Sequence, residues 1–480
     1  MEKEKSIGIT AKKSENFSEW YTQVIQKADL IDYSSVSGCY VFKPNSFALW
    51  EKIQEFLNKK FKEIGVKNAY FPLLIPESLL KKEASHIEGF NPEVAWVTKA
   101  GNTDLSEKLA IRPTSESIMY DSYSKWIRSY RDLPLKINQF CSVIRWEFKT
   151  PQPFIRSREF LWQEGHTAHA TKQEADKEVT QILDLYAEIY EDLLAVPVIK
   201  GKKTEKEKFA GALYTTSIET FLPNGKAIQA ATSHALGQNF AKAFDIGFLD
   251  KDNKKQFVWQ NSWGITTRSI GILTMMHSDD KGFVMPPKIA STQVVIIPIL
   301  LGDKKEKIIK QCEKIKKDLK EMSVEIDSRE EYTPGWKFNE YELKGIPLRI
   351  EIGPKDLAKN QAVFVRRDTG EKIIVKLKDL RKIAGKVLDD IQNNLFNRAK
   401  DFMRKNTVEA DNFNELEKAL NSKKLVKAFW CQSQDCEKKI REKIESAKII
   451  NVPFEQPKSR KNCVICAKKG LELVYIAKSY

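Results

Sequence analysis

Apolar and polar residues along this 480-residue chain recur with two different periods, and the period changes from one segment to the next. After Pro44, Phe47, Trp50, Ile53, Leu57, Phe61 and Ile64 return at steps of three and four, which predicts one long helix with a single apolar face. Gly65 follows it, and "NAYFPLLIP" (68–76) predicts a strand stopped by Pro76. Farther on, "VIRWEF" (143–148) and "FIRSREFLWQEGH" (154–166) flank a short loop rich in Pro, Arg and Gln. Their alternation predicts an antiparallel pair that projects Arg145, Glu147, Arg156 and Arg158. In the second strand every other side chain shares a face, so Phe160, Trp162, Glu164 and His166 lie on one side and His169 on the other.

A break falls at "MPPK" (285–288), because Pro286 and Pro287 continue neither a helix nor a central strand. Beyond it, a strand (292–300), a basic helix (304–322), a strand (324–327), a further helix and strands near 347–352 and 362–365 predict an α/β domain. A helix from about 379 to 404 leads into a cysteine-rich end. The expected division is residues 1–285, 286–395 and 396–480.

Composition adds class. At 41% hydrophobic residues, the chain is long enough for two or three domains with their own cores. "MEKEKSIGIT" lacks the apolar core of a secretory leader, and the longest apolar run (294–301) is interrupted by Pro298. The run is far too short to span a bilayer, so no membrane association and a cytoplasmic location are expected. A net charge of +15 suits a polyanionic partner such as nucleic acid, although a lysine-rich surface gives the same excess.

Two clusters suggest metal. Glu164, His166 and His169 fall within six positions of a chain with five histidines, but strand alternation separates His169 from the other two, and two ligands make a poor zinc site. Cys431 and Cys436 (C-x4-C) with Cys463 and Cys466 (C-x2-C) instead have zinc-ligand spacing, whereas Cys39, Cys141 and Cys312 are scattered. Four thiolates suit a closed, structural Zn²⁺ site; two disulfides are the alternative, disfavoured in a reducing compartment. The Phe160–Trp162–Glu164–His166 face suits either a pocket for a small zwitterion beside a phosphorylated ligand or the packed side of a sheet.

"IRPTSE" (111–116), "VIRWEFKTPQPFIRSREFLWQEGH" (143–166), "KTEKEKFAGALYTTSIE" (203–219), "AIQAATSHALGQNF" (227–240) and "QNSWGITTRSIG" (260–271) occur in that order. Together they resemble the prolyl-tRNA synthetases of archaeal and eukaryotic-cytosolic type, a family of class II aminoacyl-tRNA synthetases. The resemblance runs from Gly38 through "PGWKFNEYELKGIPLRIEIGPKD" (334–356) and "VRRDTGEK" (365–372) to the terminal "SY". It implies a catalytic domain built on an antiparallel sheet, an α/β anticodon-binding domain and a small C-terminal zinc-binding module. Motif 1 would cover about 38–76 and form a homodimer interface; motifs 2 and 3 would cover about 143–168 and 261–280.

The implied activity joins L-proline to tRNA(Pro), with ATP and Mg²⁺ forming prolyl-adenylate first. By the same resemblance, Arg145 and Arg268 are catalytic, and Arg145 meets both the α-phosphate and the proline carboxylate. Glu147, Arg156, Ser157, Phe160, Gln229, Thr232 and Thr266 complete the ATP contacts, with Phe160 and Arg268 on either face of adenine. Thr114 and Glu116 would hold the proline ammonium, in a pocket shaped by Trp162, Glu164, His166, Phe209, His234 and Ser262. Arg349, Glu351, Lys355, Arg366 and Arg367 are the candidates for reading the anticodon. Tyr480 would tuck back toward the catalytic domain, and no cis-editing domain is expected between motifs 2 and 3. Ala230, Ala231 and Ala235 depart from the family's usual Gly-Gly-Thr-Ser-His-His and are expected to narrow the floor beneath ATP.

Overall fold

The computed structural model describes residues 8–86, 93–147, 149–300, 304–458 and 460–480. The periodic helix is present as α2 (Pro44–Glu63), preceded by α1 (Phe17–Lys27). Proline suits the first turn of a helix, where its missing N–H has no partner to lose, and Gly65 at φ +79° turns the chain out of the far end. Leu49, Trp50, Ile53, Leu57 and Phe61 are buried as the period requires, whereas Phe47 stays exposed at the start of the helix. Segment 68–76 is not one strand: only β1 (Lys67–Asn68) and Leu74–Pro76 pair. Pro72 has no N–H for a ladder, and the Phe71 N–H donates instead to the Gln139 side chain at 2.5 Å.

The central sheet has eleven strands among the described residues. The part built before the 285–288 break contains β1, β2 (Leu135–Ile144), β3 (Glu159–His169), β4 (Ile199–Lys202), β5 (Tyr214–Phe221), β6 (Lys226–Gly237) and β7 (Trp259–Thr266), in the spatial order β4-β5-β6-β7-β3-β2-β1. β3 lies between β2 and β7 and is antiparallel to both. The predicted hairpin shifts. Phe160 to His166 pair with residues 143 back to 137, and of the 143–148 segment only Val143 and Ile144 join the ladder, opposite Phe160 and Glu159, so "LKINQFCSVI" is the partner strand, most of which period reading missed. Arg145 and Glu147 lie beyond the end of β2, with one further backbone hydrogen bond from Arg145 N–H to the Arg158 carbonyl at 2.8 Å. Pro151, Pro153 and Phe154 at φ +63° keep the intervening stretch out of strand geometry. Phe148, the predicted end of that strand, lies outside the described residues.

Helix α3 (Glu116–Trp126) covers one side of this sheet and α4 (Lys172–Glu188) the other. Thr171 and Glu174 cap α4 reciprocally, and Ala175, Glu178, Val179, Ile182, Leu183 and Tyr186 form its buried stripe. Helix α5 (Arg268–His277) follows β7 directly and packs in the same core as α1 and α2. A Cβ at Gly165 would lie 2.1 Å from the Trp263 ring, so glycine is required where β7 lays its indole across β3.

The next domain holds a five-stranded sheet. β8 (Val294–Pro298) lies between β9 (Val324–Ile326) and β10 (Leu348–Ile352), parallel to both, and β11 (Gln361–Arg366) and β12 (Lys372–Lys376) extend the β10 side antiparallel. Helices α6 (Lys305–Asp318) and α8 (Leu380–Asn406) bury Val294 and Ile296, while Val295 and Ile297 meet α7 (Pro334–Lys344). β8 is therefore covered on both faces, which explains its unbroken apolar run.

The C-terminal region does not stand apart. β13 (Thr407–Glu409), β14 (Leu425–Trp430), β15 (Ala447–Pro453) and β16 (Glu472–Ser479) complete the eleven-stranded sheet, with β15 antiparallel to β4 and the end of β16 parallel to β6. Among the described residues, no helix is long and apolar enough to cross a membrane.

Candidate active site

A cavity of about 270 Å³ opens on the α3 side of the sheet. Strand β3 supplies one wall, with Phe160, Trp162, Glu164 and His166 in order along it. Thr114 and Glu116, at the start of α3, face that wall; Thr232 and His234 come from β6, with Gln229 beside them, and Ser262 and Thr266 from β7. Arg145, Glu147, Ser157, Phe209 and Arg268 close the perimeter. Arg156 does not line the cavity. Ala230 and Ala231 do, and Ala235 is buried at the β5–β6 pairing.

The deep end is a connected polar network. Glu164 accepts from the Ser115 hydroxyl and N–H, from Gln139 Nε2 (2.9 Å) and from Cys141 Sγ (3.5 Å), and pairs with His166 Nε2 at 3.0 Å. Tyr120 lies 3.1 Å from His166 Nδ1, and the Trp162 indole N–H donates to Cys141 Sγ at 3.2 Å. Both members of the His166–Glu164 pair are at most 2% exposed. Burial by itself would strip the proton from His166, but the charges of Glu116 and Glu164 outweigh it and raise its pKa. Burial likewise opposes the Glu164 charge, and the His166, Ser115 and Gln139 contacts overcome it and lower its pKa. The pair is an ion pair, internally neutral.

Two other groups at this end differ. His234 is pushed down to about 3 by burial, then by His166 and Arg145, so it is neutral; its Nδ1 lies 2.9 Å from the Thr215 hydroxyl. Glu116 accepts from Thr114, and no cation pairs with it among the described contacts. The deep end thus presents one carboxylate with no cation partner besides the nearby His166, Glu116, while Glu147 and two guanidinium groups stand on the rest of the perimeter. Arg145 lies 5.6 and 5.3 Å from the Phe160 and Trp162 ring centres, with Nε on the Pro113 carbonyl (2.9 Å). Arg268 donates to the carbonyls of Ile155 and Gln229, both at 3.2 Å, and full burial lowers its pKa. Both forks are thereby aimed before any ligand arrives.

Sequence reading missed Ser115, Gln139, Thr215 and Glu207. Gln139 was detectable, since it alternates with Ile137 and Cys141 and sits opposite Glu164 in the register. Glu207 lines the cavity while pairing with Arg441 and, at 3.1 Å, with Lys448 from the C-terminal region, a contact no local pattern encodes.

His169 lies on the opposite face of β3. It pairs with Glu178 of α4 at 3.0 Å, and Glu178 also accepts from Thr167 and from Asn261 (3.0 Å), with Lys136 at 3.4 Å. The four sulfurs of Cys431, Cys436, Cys463 and Cys466 lie within 4.8 Å of one another, and two of their separations are 3.6 and 3.7 Å. The edge of a zinc–thiolate tetrahedron is about 3.8 Å.

The anticodon candidates separate. Arg349 pairs with Glu351 at 2.9 Å beside the Phe338 ring, and Arg366 forms a fork with Asp368 at 3.0 and 2.9 Å. Lys355 is exposed. Arg367, expected at a nucleotide, is only 7% exposed, and its guanidinium is turned to Asp279 of the catalytic domain.

Comparison with known proteins agrees with this architecture. The family described as "tRNA synthetase class II core domain (G, H, P, S and T)" matches residues 96–277, "Anticodon binding domain" matches 293–386, and "Prolyl-tRNA synthetase, C-terminal" matches 413–480. The chain is 50% identical over 471 residues to "Proline--tRNA ligase" of Natranaerobius thermophilus, covering 97% of each protein. It is 50% identical over 490 residues to "Proline--tRNA ligase, cytoplasmic" of Arabidopsis thaliana, covering all of this chain and 92% of that one. The chain belongs to the proline–tRNA ligase family. A 445-residue match at 51% identity to "Bifunctional glutamate/proline--tRNA ligase" of Mus musculus covers 91% of this chain and 29% of that protein. Within the family fold, Tyr480, one residue beyond β16, packs near the catalytic core: its hydroxyl accepts from Asn224 (2.6 Å) and contacts Met275 Sδ at 3.4 Å.

Proposed function

We propose that this chain is a proline–tRNA ligase that forms prolyl-adenylate from L-proline and ATP and then transfers the prolyl group to tRNA(Pro). The observation that carries this is the charge arrangement of the cavity: one carboxylate with spare charge at the deep end, arginine forks toward the open end, and an aromatic wall between them. Because Glu164 is neutralised by His166, the secondary ammonium of proline goes to Glu116 and Thr114, and its carboxylate to Arg145. Phe160 and Arg268 flank adenine, with Glu147, Ser157, Gln229, Thr232 and Thr266 around the nucleotide and Arg156 toward the phosphates. The proline carboxylate attacks the α-phosphorus, pyrophosphate leaves, and the terminal ribose hydroxyl of the tRNA later displaces AMP. Orientation and fixed positive charge account for the rate, and no protein nucleophile is needed. Mg²⁺ supplies neutralisation of the remaining phosphate charge.

The four cysteines fit a structural Zn²⁺, and their place at the start of α9 (Gln434–Lys443), which contains Cys436, suits a brace for the C-terminal region. Arg349, Glu351, Lys355 and Arg366 remain the candidates for anticodon contact. Exposed Tyr33, Val41, Phe47, Tyr70 and Leu74 around α2 support a homodimer through motif 1. The segment between β3 and β7 is occupied by α4, β4, β5 and β6 of the catalytic sheet, which favours the absence of a cis-editing domain. A cytoplasmic location follows from the same reading. ATP–pyrophosphate exchange with each of the twenty amino acids tests the activity: exchange should be fastest with proline, and its absence with proline would refute the reading.

A further inference from the structure

Arg367 follows β11 in the anticodon-binding domain, yet its side chain is 4% exposed and points into the catalytic domain. Nη1 and Nη2 donate to Asp279 Oδ2 and Oδ1 at 2.8 and 2.7 Å, and Nε donates to the Glu342 carbonyl at 2.8 Å. Its own N–H is bonded to the Pro347 carbonyl at 3.0 Å. A planar fork held at all three nitrogens fixes orientation as well as distance.

Asp279 stands two residues beyond α5, the helix whose first residue is Arg268. It is itself held: Oδ1 accepts from the N–H groups of Lys281 (2.9 Å) and Gly282 (3.1 Å), and its carbonyl accepts from the Trp20 indole at 3.0 Å. Gly282 at φ +145° packs so closely on α7 that a Cβ would meet the Leu343 backbone at 2.6 Å. On the other side, the neighbours of Arg367 tie its turn to α8, because Asp368 accepts from Asn394 (2.6 Å) and its carbonyl from Arg398 (3.2 Å). One bidentate contact thus joins the end of a buried helix beginning in the active site to the frame of the anticodon-binding domain.

We propose that Arg367 is a positioning residue for tRNA charging: it sets the anticodon-binding domain against α5, so that a tRNA held by that domain presents its 3′ end to the cavity. This rests on the proline–tRNA ligase reading. Every residue lining the cavity where the adenylate would form comes from the catalytic domain, whereas transfer also requires a tRNA bound across both domains in register. Arg367 lines no part of the cavity, so its substitution should separate the two half-reactions.

The test compares proline-dependent ATP–pyrophosphate exchange with aminoacylation of tRNA(Pro) in the full chain, for wild type, Arg367→Ala, Arg367→Lys, Asp279→Asn and Arg367→Ala with Asp279→Asn. Asp279→Asn keeps an oxygen for the Lys281 and Gly282 N–H groups while removing the charge. Exchange should stay within about twofold of wild type in every variant, by the expectation that distant sites act independently. Aminoacylation kcat/KM should fall about tenfold or more in Arg367→Ala and less in Arg367→Lys, and the double variant should be no worse than Arg367→Ala, as for two halves of one contact. Unchanged aminoacylation, or exchange falling in parallel with it, overturns the proposal; if Arg367→Ala fails to fold, Arg367→Lys and Asp279→Asn decide on the same criteria. Lack of proline-dependent exchange in the wild type would instead refute the underlying activity.

Discussion

Strand β3 carries two histidine–carboxylate pairs, one on each face. His166 pairs with Glu164 on the cavity side and His169 with Glu178 on the α4 side, both at 3.0 Å and both nearly inaccessible to solvent. Glu178, on the covering helix α4 itself, is closed in by Thr167, Asn261 and Lys136, so its pair locks α4 to the sheet. Glu164 is gripped by Ser115 and Gln139 in much the same way, but its His166 and the adjoining Trp162 border open volume. The same chemistry serves structure on one face and, under the proposed function, ligand recognition on the other; the difference lies in what the opposite element leaves uncovered.

That contrast can be broken most sharply at the open end of the cavity. Arg145→Ala should reduce proline-dependent ATP–pyrophosphate exchange by about a thousandfold or more, the scale of losing a fixed charge on the reacting centre, while leaving the thermal transition near its wild-type value. Exchange kinetics and calorimetry on the same sample would show it.

Next come the two histidines themselves. His166→Ala should raise KM for proline about tenfold or more, because it removes part of the pocket wall and frees Glu164 to draw the ammonium away from Glu116 and Thr114. His169→Ala should leave that KM within about twofold but destabilise the protein by about 3 kcal/mol, the scale of a buried charge losing its partner. If the two substitutions gave the same profile, the division between faces would be wrong.

Their pH dependence should differ as well. Despite burial, which opposes its charge, Glu178 is held down to about 2 by His169, Thr167 and Asn261. A depressed acid contributes fully above its unfolded value of about 4.5 and loses that contribution as pH falls through about 2. Glu178→Gln should therefore be less stable than wild type near pH 6 and converge with it toward pH 2, as read by denaturant titration. On the cavity face two limbs are expected: Glu164, also depressed, loses its contribution in acid, while the raised pKa of His166 means its contribution is present below the unfolded value and lost as pH rises through the folded one. The smallest effect is expected from Cys141→Ala, which removes a weak sulfur contact to Trp162 and Glu164 and should raise KM for proline only about twofold.

Much of this was legible in the residues. The period after Pro44 defined α2, and alternation separated His169 from Glu164 and His166. The C-x4-C and C-x2-C spacing picked out four sulfurs that come together. The expected cavity residues converge on one volume, with Arg156 outside its lining. Other features were not legible, each for a specific reason. The strand partner of β3 was misplaced because the apolar pattern continues past Ile144, where the turn containing Pro151 and Pro153 overrides it. Arg367 resembled a nucleotide-binding arginine because a local charge pattern says nothing about Asp279, 88 positions away. Glu207 could not be linked to Arg441 for the same reason.

By itself, the sequence determined which side chains share a face, where helices start and which thiols fall in closely spaced pairs, since these depend on backbone period and short loops. Tertiary structure alone decided which face of β3 opens and that the C-terminal strands extend the catalytic sheet through β15 and β4. It alone placed the Arg367 fork between domains. Burial, and the charge balance that follows from it, is set by elements brought together from distant parts of the chain, and no local spacing contains that information.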